Sequence, residues 1–191
     1  MGTPFQQLCV EYMTALREAR QHALATDELS LRPALDAFLK HAAEHFERPV
    51  AFLSEAKKIS SGRPDFTATV SGLPIGYVEA EAFGVNLDKL TGHAKDQNDR
   101  FRANLDNFLL TNHLEFRLYL GGEMTARAAL PEPPEQGKLR VNAAETDALA
   151  ALLTRFLRGE WAPIASPKDL AFHLARRTRQ LRNEVVSILR D

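Results

Sequence analysis

The stretch GRPDFTATVSGLPIGYVEAEAFG, residues 62–84, constrains this chain more than any other. Two runs of strand-forming residues flank a Ser-Gly turn, the pattern of a β-hairpin. Folding about Ser71-Gly72 brings Asp65 opposite the segment from Glu79 to Glu81. Glu79 and Glu81 are two residues apart, so in a strand they share one sheet face. Strands disfavour acidic residues. Neighbouring carboxylates repel, and at least one pKa rises unless a cation lies between them. Mg²⁺ suits such a place, because it takes oxygen ligands and commonly uses one or two carboxylates with water and phosphate. A solvent-facing acidic strand end with no chemistry carries the same spacing.

The rest of the chain supplies a framework for that hairpin. Residues 4–25 have helical spacing through Phe5, Leu8, Tyr12, Ala15, Leu16 and Ala19. A second helix follows in TDELSLRPALDAFLKHAAEHF. Asp27 caps it at Glu28, or Ser30 caps it with Pro33 in the first turn. Strands are expected at 48–56, 65–70 and 75–83, a helix at 86–105, then strands in NFLLTN and EFRLYL. The order ααβββαββ predicts an α/β fold, a mixed central sheet of about five strands flanked by helices. PEPPEQG at 131–137 reads as a proline-rich excursion with no core to offer. An amphipathic helix is expected at 143–158, WAPIASP as a linker, and a last helix at 168–190. The expected organisation is a core over 1–130, an excursion with a short helix over 131–165, and a basic amphipathic connector helix over 166–191.

Composition sets the outer bounds. The formal net charge of −1 argues against a uniformly basic, nucleic-acid-coating protein but leaves room for a local basic groove. A single cysteine, Cys9, excludes an internal disulfide framework and a cysteine-based zinc site, and fits a cytoplasmic location. No apolar run reaches the roughly 18 residues of a membrane span, and the N-terminus has no basic segment followed by an apolar core. His41 and His45 stand four apart on a helix, but HAAEH lacks the glutamate of the zinc-protease pattern.

From Glu28 to Gly122 the landmarks ELSLRPAL, GRPDFTATV, GYVEAEAFG, AKDQNDRF and NFLLTNHLEFRLY occur in an order that resembles the PD-(D/E)xK nuclease core. More narrowly, the stretch looks like the N-terminal nuclease domain of single-chain restriction-modification enzymes of type IIG and type ISP. The resemblance implies a restriction-endonuclease-like fold and Mg²⁺-dependent cleavage of unmodified duplex DNA, with Mn²⁺ as a possible substitute. It implies adenine methyltransferase and target-recognition domains in the same natural chain.

Residue by residue, the resemblance makes Asp65 the acid of the Pro-Asp motif and Glu79 the second acidic position, both metal ligands. Glu28 matches an acidic residue on an early helix near the site, and Arg32 an arginine beside it. Gln97 matches a glutamine on the helix after the catalytic strands. The family pattern ends in a lysine two residues after the glutamate, where this chain has Glu81. Three accounts follow: Glu81 works as a carboxylate that positions or deprotonates the attacking water, a lysine has moved (Lys95 first, Lys89 second), or the domain is inactive and retained for DNA binding or docking. Arg32, Arg63 and Arg100 are candidates for phosphate contacts. Phe101 and Leu105 read as core rather than base-stacking platforms.

The last helix combines Lys168, Arg176, Arg177, Arg179, Arg182 and Arg190 with an apolar stripe of Leu174, Leu181, Val185 and Ile188. Such a helix can touch DNA backbone or pack on a neighbouring domain, and the resemblance favours the second. On that reading the chain is a fragment or a truncated reading frame, and the stripe covers the core or pairs with a second copy in a homodimer.

Overall fold

The computed structural model describes residues 2–22, 27–54, 59, 61–160, 166–168, 170, 171, 174, 175, 178, 181, 182, 185 and 186, without the side chains of 22 and 27–29. The elements run α1 (Pro4–His22), α2 (Asp27–His45), β1 (Ala51–Ser54), β2 (Phe66–Val70), β3 (Leu73–Ala80), α3 (Gly92–Asn104), β4 (Asn107–Thr111), β5 (Glu115–Leu120), β6 (Glu123–Ala129) and α4 (Ala143–Leu157). The six strands form one sheet in sequence order. Only β3 and β4 pair in parallel, and the other neighbours are antiparallel. A parallel pair needs a crossover, and α3 provides it.

Two apolar layers hold the sheet. On one face α1, α2 and α4 contribute Leu16, Leu35, Phe38, Leu152 and Phe156 against Phe66, Val78, Leu109 and Phe116. On the other face α3 sets Phe101, with the following Leu105, against Tyr77, Phe108 and Tyr119. Phe101 and Leu105 are therefore core, as their spacing predicts. Every residue of β4 is buried, which is why NFLLT reads as a continuous apolar run rather than an alternating one.

The hairpin that opens the sequence argument is present. Val70 pairs with Leu73, leaving Ser71 and Gly72 as a two-residue loop. Both have positive φ, 52° and 79°, as a type I′ turn requires. Further along β3, Gly76 answers a different need. A Cβ there would stand 2.7 Å from both the Asn107 side-chain nitrogen and the Phe156 ring. The bare backbone lets Asn107 donate to the carbonyls of Ile75 and Phe156, both at 2.8 Å, joining α4 to the sheet.

Two sequence expectations change. The sheet has a sixth strand, β6, paired with β5 across Gly121-Gly122. Its Ala-rich run EMTARAA has low strand propensity, and the pairing follows the turn, where both glycines have positive φ. The third helix begins at Gly92, not 86. Asn86 turns the chain instead, its side-chain oxygen accepting the Asp88 amide at 2.9 Å, a local bond that competes with helix. Just past PEPPEQG, Leu139 is buried with five α4 side chains, and α4 opens on an Asn142–Glu145 capping box. α2 spans both candidate starts and carries Pro33 inside it.

The described residues between 167 and 186 are helical and exposed, with Leu174, Leu181 and Val185 each more than half in solvent. Arg176, Arg177, Arg179, Ile188 and Arg190 of the expected last helix lie outside the described residues, as does most of the WAPIASP linker. Among the described residues no helix is long and apolar enough to cross a membrane.

Candidate active site

The C-terminal ends of a parallel strand pair are where open α/β sheets usually bind ligands. Here β3 ends in Glu79 and Ala80, and β4 in Thr111, with Glu79 level with Leu110 and Ala80 with Thr111. Continuing the β2–β3 ladder one step beyond the Phe66–Val78 pair sets Asp65 beside Glu79. The two acids are linked through backbone. The Asp65 amide donates to Glu79 Oε2 at 3.2 Å, and Asp65 Oδ2 accepts the Ala80 amide at 2.8 Å. Both are buried, at 8% and 9% exposure.

Each helical layer sends one side chain to the pair. From α2, Arg32, next to the buried Leu31, places Nη2 2.5 Å from Asp65 Oδ1. From α3, Gln97 Nε2 donates to Glu79 Oε1 at 2.6 Å. Asp65 thus has a cation on one oxygen and a backbone donor on the other.

Glu79 is in a different state. Burial is the largest influence on its carboxyl, the Asp65 charge the second. Glu81 adds to the rise, while the Asp65 amide and Arg32 oppose it, and the result is a pKa pushed up to about 9. At neutral pH Glu79 is protonated in the absence of any further cation.

Glu81 lies just past the end of β3. Its amide donates to Thr111 O at 2.8 Å, carrying the parallel pairing one residue further, and its side chain is half-buried. The loop that follows is pinned to the end of β4: Gly84 donates to Asn112 O at 3.1 Å, and Asn112 Nδ2 to Val85 O at 2.8 Å. Lys95 is turned to solvent, its Nζ 2.5 Å from Asp99 one helical turn on. Lys89, Arg63 and Arg100 are exposed, and none of these has a described contact with Asp65 or Glu79. Glu28 falls in the first turn of α2, and its side chain lies outside the described residues.

Among the described residues no three His, Cys, Asp or Glu side chains form a metal cage by themselves. Asp65 and Glu79 offer a two-carboxylate oxygen set, the number Mg²⁺ commonly takes from protein when water and phosphate complete its shell. That set fits the ion: two adjoining buried carboxyls, one of which cannot ionise readily beside the other, leave a place where added positive charge is favourable.

One residue at this end of the sheet carries no sequence signal. His113 follows β4, is fully buried, and has φ of 72°. Its carbonyl accepts the Tyr12 hydroxyl at 3.0 Å and its amide donates to Thr111 Oγ1 at 3.0 Å. Neither ring nitrogen has a hydrogen-bond partner among the described residues. The only available pointer was position, at the end of the strand parallel to the one bearing Glu79.

No family model and no curated protein matches this chain. Among solved structures, the chain is similar to a cryo-EM structure of a DrdV–DNA complex. The TM-score is 0.59 at 23% identity, covering 80% of this chain and 14% of that one. The likeness is one of fold: the six-stranded mixed sheet with helices on both faces is consistent with a restriction-endonuclease-like arrangement. The chain corresponds to about one seventh of the length of the protein it matches.

Proposed function

We propose that this chain is a metal-dependent DNA endonuclease module of the restriction-modification type. The observation that carries the reading is the buried Asp65–Glu79 pair at the C-terminal end of the parallel strands, held by Arg32 from one helical layer and Gln97 from the other. The DNA in the structural neighbour and the ordered landmarks of the nuclease core support it. A longer natural polypeptide, in which methyltransferase and target-recognition domains follow the exposed helical stretch, belongs to the same proposal.

Phosphodiester hydrolysis needs an activated water and neutralisation of charge on the phosphate. Bound Mg²⁺, or Mn²⁺ in its place, supplies a Lewis acid and a more acidic water. Asp65 and Glu79 would hold it. Arg32 fixes the Asp65 carboxylate and Gln97 fixes the Glu79 carboxyl, so each is restrained in its rotamer. Glu81 adjoins the pair with its side chain half-buried, close enough to raise the Glu79 pKa and suited to accept a proton from water. Arg63 and Arg100, both exposed, are the phosphate-contact candidates.

One observation favours a second reading, a nuclease fold retained for DNA binding or docking. Glu81 occupies the lysine position, and Lys95 is paired with Asp99 in solvent. The test is Mg²⁺-dependent cleavage of unmodified duplex by the natural full-length protein. Cleavage lost in Asp65→Asn supports the endonuclease, and equal behaviour of parent and variant supports the second reading.

A further inference from the structure

The chain reverses direction immediately after Glu81. Val85 donates to Ala82 O at 3.2 Å, and Gly84 has φ 66°, the positive value that a type II turn places at its third residue. Phe83, inside the turn, packs against the core with the Arg20 guanidinium 4.0 Å from its ring centroid. The last paired residue of β3 is Ala80, opposite Thr111, so this turn sets the direction in which the chain carries Glu81 away from the ladder.

Asn112 grips the turn at two adjacent points. Its carbonyl accepts the Gly84 amide at 3.1 Å, and its Nδ2 donates to Val85 O at 2.8 Å. The side chain is buried, and its Oδ1 accepts the Leu114 and Glu115 amides at 3.0 and 2.6 Å, which shapes the β4–β5 turn. Local bonds of that kind need only an acceptor, and Asp or Ser supplies one. The bond to Val85, 27 residues earlier in the chain, needs a donor as well. Asparagine carries both on one planar amide.

We propose that Asn112 is a positioning residue for Glu81: by gripping the 82–85 turn through main chain and side chain together, it fixes the path of the strand end and holds the Glu81 carboxylate beside the Asp65–Glu79 pair. This rests on the endonuclease reading above, in which Glu81 accepts a proton from water. The Glu81 charge acts on Glu79, so the carboxylate is near enough for small displacements to matter. A misplacement of about 1 Å can cost roughly 10²-fold in rate. β4, buried along its whole length, gives the grip a rigid base.

The test pairs Asn112→Asp with Asn112→Ser. Both keep an acceptor for the β4–β5 turn and lose the amide donor to Val85, and the serine does so without adding charge. Single-turnover cleavage by the natural full-length protein should slow roughly tenfold or more in each, with duplex affinity unchanged. In a Glu81→Gln background neither should slow it by more than about twofold further, because the group being positioned is gone. In this 191-residue chain, side-chain scalar couplings should show one Glu81 χ1 rotamer in the parent and averaged rotamers in the variants, a readout free of catalysis. Gly84→Ala, strained at φ 66° with open space around its Cβ, loosens the same turn from the other side and should reproduce both effects if the Asn112 variants fail to fold. Equal slowing with and without the Glu81 carboxylate, or Glu81 couplings already averaged in the parent, would overturn the proposal while leaving the endonuclease reading intact. A parent that does not cleave overturns that reading instead, and the Glu81 couplings then decide on their own whether Asn112 positions the side chain.

Discussion

Gln97 Nε2 stands 2.6 Å from Glu79 Oε1, joining the crossover helix to the strand end that carries the buried acid. Without that bond the Glu79 carboxyl keeps, among the described residues, its hydrogen bond from the Asp65 amide. Gln97→Ala should destabilise the fold by about 1 kcal/mol, the usual net value of one hydrogen bond. Its effect on cleavage should be larger, tenfold or more, because a metal ligand free to rotate no longer holds a productive geometry. Urea unfolding and single-turnover cleavage check the two halves. A stability loss with unchanged cleavage would make Gln97 a structural strut.

Asp65 serves structure as well as chemistry. Its oxygens take Arg32 and the Ala80 amide, so Asp65→Ala leaves a half-buried guanidinium and a backbone donor without their acceptor. Removing one partner of a buried ion pair costs about 3 kcal/mol or more. Asp65→Asn keeps an oxygen for the Ala80 amide and should cost clearly less. Both should lose the Mg²⁺-induced rise in melting temperature that a native-state ligand produces. A full thermal response in Asp65→Asn would put the metal elsewhere.

Glu79 makes stability depend on pH in an unusual direction. Its pKa is about 9 in the folded chain against an ordinary 4.5. Between those values the native state holds a proton that the unfolded chain has released, so stability falls as pH rises through the window and is unaffected by this group outside it. Glu79→Gln has no such proton and should lose this slope, even though it keeps only one oxygen for the two bonds that Glu79 accepts from the Asp65 amide and Gln97. Metal binding needs the ionised carboxylate, so Mg²⁺ affinity should rise with pH across the same window and release a proton. Denaturant melts from pH 5 to 9, and calorimetry in buffers of different ionisation enthalpy, read these effects. A stability profile that climbs between pH 6 and 9 in the parent alone would contradict the assignment.

How much of this was legible depends on how local the determinants are. The Ser71-Gly72 turn is two residues long and fixes the register that brings Asp65 beside Glu79, so that pairing could be read from the chain. The Gly121-Gly122 turn is the same kind of signal, but the EMTARAA run after it has low strand propensity and does not stand out as a strand in the chain. The start of α3 was lost to one side-chain bond from Asn86, which periodicity does not register. The meeting of Arg32 with Asp65 joins residues on different layers; the resemblance set Arg32 beside the early acidic residue and among the phosphate contacts, and neither it nor spacing pointed to Asp65. His113 owes its character to burial at the end of β4, which its local run TNHLE does not reveal; there it reads as an ordinary turn histidine.

The residue at the lysine position gives the sharpest test. Glu81 is held by its amide on Thr111 and adds negative potential to Glu79. Glu81→Lys replaces that charge with a positive one, so the Glu79 titration should move down in pH, and the stability slope should end at lower pH. The same change removes the carboxylate proposed to accept a proton from water. If Glu81 works in that way, Glu81→Lys abolishes cleavage by the full-length enzyme, and Glu81→Gln slows it by roughly 10²-fold. Lys95, fully exposed and tied to Asp99, should matter far less, and Lys95→Ala should retain most activity. The titration shift and the cleavage loss are separate readouts. A shifted Glu79 titration with cleavage preserved or raised would show that the lysine role is restored rather than replaced, and that Glu81 is not the proton acceptor.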